Sequence, residues 1–209
     1  MIILIGSQKG GCGKSTLAIN LAVELTRLGR DICLVDADRQ STSNRWAQVR
    51  SETDMRQVNS VTQHDKIHST LKDLKTRYDY VIVDVAGRDS LELRSGLTVA
   101  DMLITPFRPS VADLDTLPHL SEMIENVKTF NEDLICKAVL TMASSNPTVN
   151  EVKTAKKFMS VFPEFEVCKT IIRDRKAYRD ALIEGKGVVE WDNPKAKAEI
   201  QLLVKELKL

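Results

Sequence analysis

At 209 residues the chain has the length of one domain with a single substantial core. Thirty Lys and Arg against 29 Asp and Glu leave a formal net charge of +1, so attraction to any polyanion must come from a local basic patch. No apolar run is long enough to cross a bilayer, the N-terminus does not resemble a signal peptide, and Cys12, Cys33, Cys136 and Cys168 form no C-x-x-C pair. That spacing argues against a zinc site or an iron–sulfur cluster and for reduced thiols in a cytosol.

In chain order, strands are predicted at "IILIG" (2–6), "DICLVD" (31–36), "YDYVIVD" (78–84), "DMLITPF" (101–107), "LICKAVLTM" (134–142) and "EVCKTIIR" (166–173), with a weaker one at "MRQVNSV" (55–61). Most are nearly continuous in apolar residues, as strands covered on both faces should be. Between them, Leu17, Leu21, Leu25 and Leu28 mark a helix closed by Gly29 as its C′ residue. Ile67, Leu71, Leu74 and Tyr78 fall on a 3.6 period, and Ile200, Leu203, Val204 and Leu207 give a last amphipathic helix. Strands alternating with helices predict an α/β fold, a mostly parallel twisted sheet with helices on both faces, as one domain over 1–209. In such folds ligands bind beyond the carboxyl ends of the strands.

"SQKGGCGKST" (7–16) fills the turn between the first strand and the first helix. Gly10, Gly11 and Gly13 let the backbone curl so that several N–H groups share one concavity. The N-terminus of the following helix adds its dipole, which suits an anion. Lys14 would reach the β- and γ-phosphates, the Ser15 hydroxyl would ligate Mg²⁺, and Thr16 is placed for a further phosphate contact. Gln8 stands where G-x-x-x-x-G-K-[ST] requires glycine, and Lys9 is a second lysine that the ordinary loop does not need. Two more strands end in acids: Asp36 and Asp38 in "ICLVDADRQ", and Asp84 in "YVIVDVAGR" with Gly87 three residues on. Taken singly, such aspartates serve as helix caps as readily as ligands.

"KGGCGKST" resembles the deviant Walker A motif, K-G-G-x-G-K-[ST], of the ParA/MinD family of P-loop ATPases, and the resemblance extends along essentially the whole chain. It implies ATP and Mg²⁺ as ligands and makes Lys9 the signature lysine, which crosses to the nucleotide of a partner subunit. A cation from another chain can neutralise charge on the transferring phosphoryl group, as an arginine finger does. Cys12 takes the variable position. Asp36 and Asp38 match the family's D-x-D-x-Q element with Gln40, where Asp38 would position the attacking water; Arg39 replaces the usual proline. Asp84 resembles Walker B, near Mg²⁺, and Gly87 the glycine of a γ-phosphate-sensing switch. "PFRPS" (106–110) and the segment 171–191 resemble parts near the nucleotide and the adenine.

Among family members the chain is most similar to the small ParF-like plasmid-partition proteins, with no helix-turn-helix domain ahead of the first strand. That implies an ATP-dependent homodimer, or a polymer built from it, that binds nonspecific DNA. A centromere-bound adaptor of the ParB or ParG kind would stimulate hydrolysis. It also implies a cytoplasmic protein, on the nucleoid in its ATP state, with no membrane partner. DNA contacts would come from Arg173, Arg175, Lys176 and Arg179 in "RDRKAYR" and from Lys197 in the last helix, although such runs are also what solvated helix faces carry. Two other readings stay open. A MinD-like membrane-cycling ATPase would use "AEIQLLVKELKL" as a membrane helix. A VirC-like DNA-transfer accessory shares the texture of Asp36, Asp38, Arg45 and Trp46.

Overall fold

The computed structural model describes residues 1–146 and 151–209. Seven strands form one sheet: β1 (Ile2–Ile5), β2 (Ile32–Ala37), β3 (Asn59–Thr62), β4 (Tyr80–Val85), β5 (Met102–Phe107), β6 (Ile135–Ala143) and β7 (Glu166–Arg173). Their order is β3-β2-β4-β1-β5-β6-β7 and every pair is parallel. The helices are α1 (Lys14–Arg27), α2 (Thr42–Ser51), α3 (His68–Arg77), α4 (Leu91–Leu97), α5 (Val111–Leu114), α6 (Leu117–Lys128), α7 (Glu151–Met159), α8 (Lys176–Ile183) and α9 (Pro194–Leu207), with a 3₁₀ turn at Val188–Glu190. The predicted α/β class and parallel sheet are therefore what the chain adopts.

Strand alternation divides the apolar side chains between two cores. Ile3, Ile5, Ile32, Leu34 and Ile82 pack under α1, α2, α8 and α9, while Ile2, Leu4, Val35, Val81 and Val83 pack under α3, α4, α6 and α7. The same parity sends Asp36 and Asp84 to the α1 and α2 side, where they are register neighbours on β2 and β4. Helix ends follow local chemistry. Gly29, at φ 87°, closes α1 in a Schellman motif, with Gly29 N donating to Thr26 O and Arg30 N to Leu25 O. Asn193 caps α9 through Ala196 N, with Pro194 in the first turn.

The strand expected over 55–61 begins later, at Asn59. Residues ahead of it wrap around the buried Arg50 side chain, whose guanidinium donates twice to Arg56 O (2.9 and 2.7 Å). Gln57 adds bonds to Arg50 O and Met55 O, so this stretch turns back on itself before pairing with β2. Tyr78, expected as the last residue of its helix, is an extended C-cap.

Candidate functional site

β1 is central, and the loop that follows it opens at the carboxyl edge of the sheet, where β1 is flanked by β4 and β5. Gly11 (φ 74°) and Gly13 (φ 87°) hold left-handed conformations that a side chain would strain. Gly10 has open space where a Cβ would stand and lines the cleft. No side chain caps α1, so its first-turn N–H groups are left to an anion. A cleft of about 470 Å³ lies over them, lined by Gly10, Gly13, Lys14, Ser15 and Thr16 from this loop and by Asp38, Gln40 and Gly87 from the ends of β2 and β4. Residues from three segments far apart in sequence thus meet around one concavity.

The loop is closed on its own lysine. Lys14 Nζ donates to Lys9 O (2.8 Å) and Ser7 Oγ (3.2 Å), and lies 3.8 Å from Cys12 Sγ. Cys12 is fully buried, so the variable position is a packing site inside the loop rather than a contact surface. Its carbonyl accepts from Thr141 Oγ1 (2.7 Å), which ties the loop to β6. Gly87 presses directly on this assembly: a Cβ there would stand 2.5 Å from Lys14 Nζ and 2.5 Å from Lys9 O. Glycine at position 87 is required for close approach of two backbones.

The two strand-end aspartates differ. Asp36 uses Oδ1 for Asp38 N (3.1 Å) and Oδ2 for Asn44 N (2.7 Å), and does not line the cleft. These two bonds hold the Asp38 turn and the start of α2. Asp38 does line the cleft and accepts from Gln40 N (3.0 Å). Asp84 accepts a 2.6 Å bond from Ser43 Oγ at Oδ2, while Oδ1 is buried without a partner among the described residues. Burial pushes the Asp84 carboxyl up to about 7, against the opposing pull of the Ser43 and Ser15 hydroxyls; the neighbouring Asp36 adds to the rise. An orphaned carboxylate oxygen beside Ser15 fits a divalent cation. Mg²⁺ is such a cation, held by one or two protein groups plus phosphates and water.

Lys9 stands apart. Its side chain does not line the cleft, and its ammonium has no partner among the described residues. The segment 171–191 does reach the phosphate loop: Ile172, Tyr178 and Arg173 line a smaller cavity of about 50 Å³ that shares Gly13, Thr16 and Met142 with the main cleft. The expected DNA cluster is not a free basic patch. Arg175 pairs with Glu199 (2.6 Å), Arg179 with Asp174 (2.9 Å), and Arg173 donates to Ser144 O. Lys176 is 82% exposed with Asp180 at 3.5 Å, and Lys197 is half-buried. Sequence reasoning missed Ser43, Thr141 and Arg88, the last an exposed cation on the cleft wall. Only their long-range placement gives the first two a role.

Comparison with known proteins agrees with this geometry. The family described as ATPase MipZ matches residues 1–132. "Maintenance of carboxysome distribution protein A" of Halothiobacillus neapolitanus is 30% identical, covering 90% of this chain and 86% of that protein. The sporulation initiation inhibitor Soj of Bacillus subtilis is 26% identical over 99% and 97%. Among solved structures, apo McdA from Cyanothece superposes with a TM-score of 0.81 at 16% identity, covering 99% of this chain and 98% of that one. The cell division ATPase MinD of Pyrococcus furiosus does so with 0.73 at 20%, over 99% and 98%. The phosphate loop, the paired strand-end aspartates and these matches place the chain in the ParA/MinD family of P-loop ATPases.

Proposed function

We propose that this chain is a DNA-partition ATPase whose ATP-bound form is a sandwich dimer. The observation that carries the reading is the position of Lys9: it belongs to the phosphate loop yet lies outside its own cleft, with an ammonium that has no partner among the described residues. A second subunit facing the cleft would supply the nucleotide that this cation lacks.

ATP enters the cleft over residues 10–16, and Lys14 leaves Lys9 O and Ser7 Oγ for the β- and γ-phosphates. Ser15 and Asp84, through its free Oδ1, would hold Mg²⁺, which would supply charge neutralisation on those phosphates. Asp38, poised on the opposite wall, orients water toward the γ-phosphate. Gly87, in contact with Lys14, registers whether the loop is filled. Lys9 of each subunit reaches the other's nucleotide, so hydrolysis requires the dimer. The ATP dimer then binds DNA through cations including the exposed Lys176 and the half-buried Lys197, and a centromere-bound adaptor resets it by stimulating hydrolysis.

A second reading is favoured by the likeness to carboxysome distribution proteins: the same cycle positioning a protein-built cargo. Sedimentation with ATP tests the common core. Lys14→Ala should abolish nucleotide binding. Lys9→Ala should keep most of it but stay monomeric and inactive, and Asp38→Ala should hold a stable ATP dimer. A Lys9→Ala protein that dimerises and hydrolyses normally defeats the proposal. Retention on nonspecific DNA versus anionic liposomes separates it from a membrane cycle.

A further inference from the structure

Asp36 and Asp84 are register neighbours with both carboxyls fully buried under the start of α2. They differ in how their oxygens are used. Asp36 has both oxygens engaged by backbone N–H groups, one on each. Asp84 has one oxygen fixed and one open, and the residue that decides which is Ser43. Its hydroxyl, fully buried, sends its single proton to Asp84 Oδ2 at 2.6 Å across 41 residues of sequence.

We propose that Ser43 is the positioning residue for Asp84, fixing the carboxylate's rotation so that Oδ1 remains for the cation or its water shell, and thereby setting the divalent-cation affinity of the site. This rests on the reading of Asp84 as the metal-side carboxylate. A carboxylate turns broadly about its last torsion. A short charge-assisted bond from a buried donor removes that freedom before the metal arrives. The donor is itself fixed: Asn44 N, the next residue, is held by Asp36 at 2.7 Å, which sets the first turn of α2 against the sheet. Thr42, the residue before it, lines the cleft. Ser43 therefore links the wall that carries Asp38 to the carboxylate on β4.

The test is thermal unfolding with saturating ADP at graded Mg²⁺. Ser43→Ala should raise the Mg²⁺ midpoint about 10- to 100-fold, the range seen when a residue that orients a metal ligand is removed. Stabilisation by ADP in EDTA should be unchanged, and Ser43→Thr should return the midpoint to within a few fold. In an Asp84→Asn background Ser43→Ala should add no further shift, since the two act as one unit. Should Ser43→Ala not fold, Ser43→Cys, a weak donor, carries the same expectation. A Mg²⁺ midpoint unmoved by loss of the hydroxyl overturns the assignment, as does a shift that persists undiminished without the Asp84 carboxylate. A wild-type protein whose ADP complex ignores Mg²⁺ overturns the reading of Asp84 itself.

Discussion

Single residues in this site carry chemistry that the fold tolerates at a cost. Asp84 is buried beside Asp36, and its carboxyl titrates near 7 rather than in the usual carboxylate range. With its folded value above its unfolded one, its contribution to stability is fully present below about 4, where both states are protonated. That contribution is lost as pH rises through about 7, where a charge must sit in the core. Asp84→Asn, neutral throughout, should therefore melt several degrees above wild type at pH 8 without ligand, and the difference should vanish near pH 4. Adding Mg²⁺ to the nucleotide complex should stabilise wild type further and add little to the variant. A variant that melts at or below wild type at pH 8 would falsify the desolvation argument. Gly87 gives the opposite case. A Cβ there meets Lys9 O at 2.5 Å and Gly10 Cα at 2.7 Å, backbone that cannot swing away. Gly87→Ala should cost about 1–3 kcal/mol, the range for overpacking. At roughly 2–4 °C per kcal/mol for a chain of this size, calorimetry should record a fall of about 2–12 °C.

At the scale of elements, α2 joins the site to the C-terminal segment. Its first turn holds Asp84 through Ser43, and its last turn buries Arg50, which donates to Gly185 O (2.9 Å) and pairs with Glu190 (2.8 Å) across 140 residues. Breaking a buried pair leaves an uncompensated charge and costs about 3–5 kcal/mol. The residual bonds from Arg50 to Arg56 O and Gly185 O place Glu190→Ala at the lower end. The expected loss is about 3 kcal/mol by urea denaturation, with unchanged m; a loss below 1 kcal/mol would count against the lock. These couplings explain which elements were legible in sequence. The covered strands were, because they are apolar on both faces, whereas the exposed β3 was only weakly marked; α1, α3 and α9 were, because each buries an apolar stripe. Helix α2 was not: the face it buries carries Ser43 and Arg50 with Trp46, so no apolar period marks it. The phosphate loop was legible because its motif is local. Ser43 was not, because a serine acquires its role only when β4 arrives beside it.

The molecule as a whole has almost no net charge, so its proposed hold on DNA must come from a few exposed cations multiplied by dimerisation. Folding removes several candidates. Arg175 is committed to Glu199, which also accepts from Tyr178 OH (3.0 Å) and from Arg173 N, fixing α9 against the edge strand β7. Glu206 serves that edge in the same way at Lys169 N and Thr170 N. These glutamates occupy donors that would otherwise invite another strand. Arg175 thus works inside the fold, and Arg175→Ala should lower stability before it affects any ligand. Lys176, 82% exposed and only 3.5 Å from Asp180 at its nearest, remains available. Each phosphate contact contributes about 0.9 to the slope of log K against log salt, and a dimer counts each lysine twice. For Lys176→Glu, retention on nonspecific DNA in ATP should weaken and its salt slope become shallower by about 2, with dimerisation and thermal stability unaltered. If that variant binds DNA as wild type does, or if wild type binds equally well without ATP, the nucleic-acid surface lies elsewhere and the dimer does not create it.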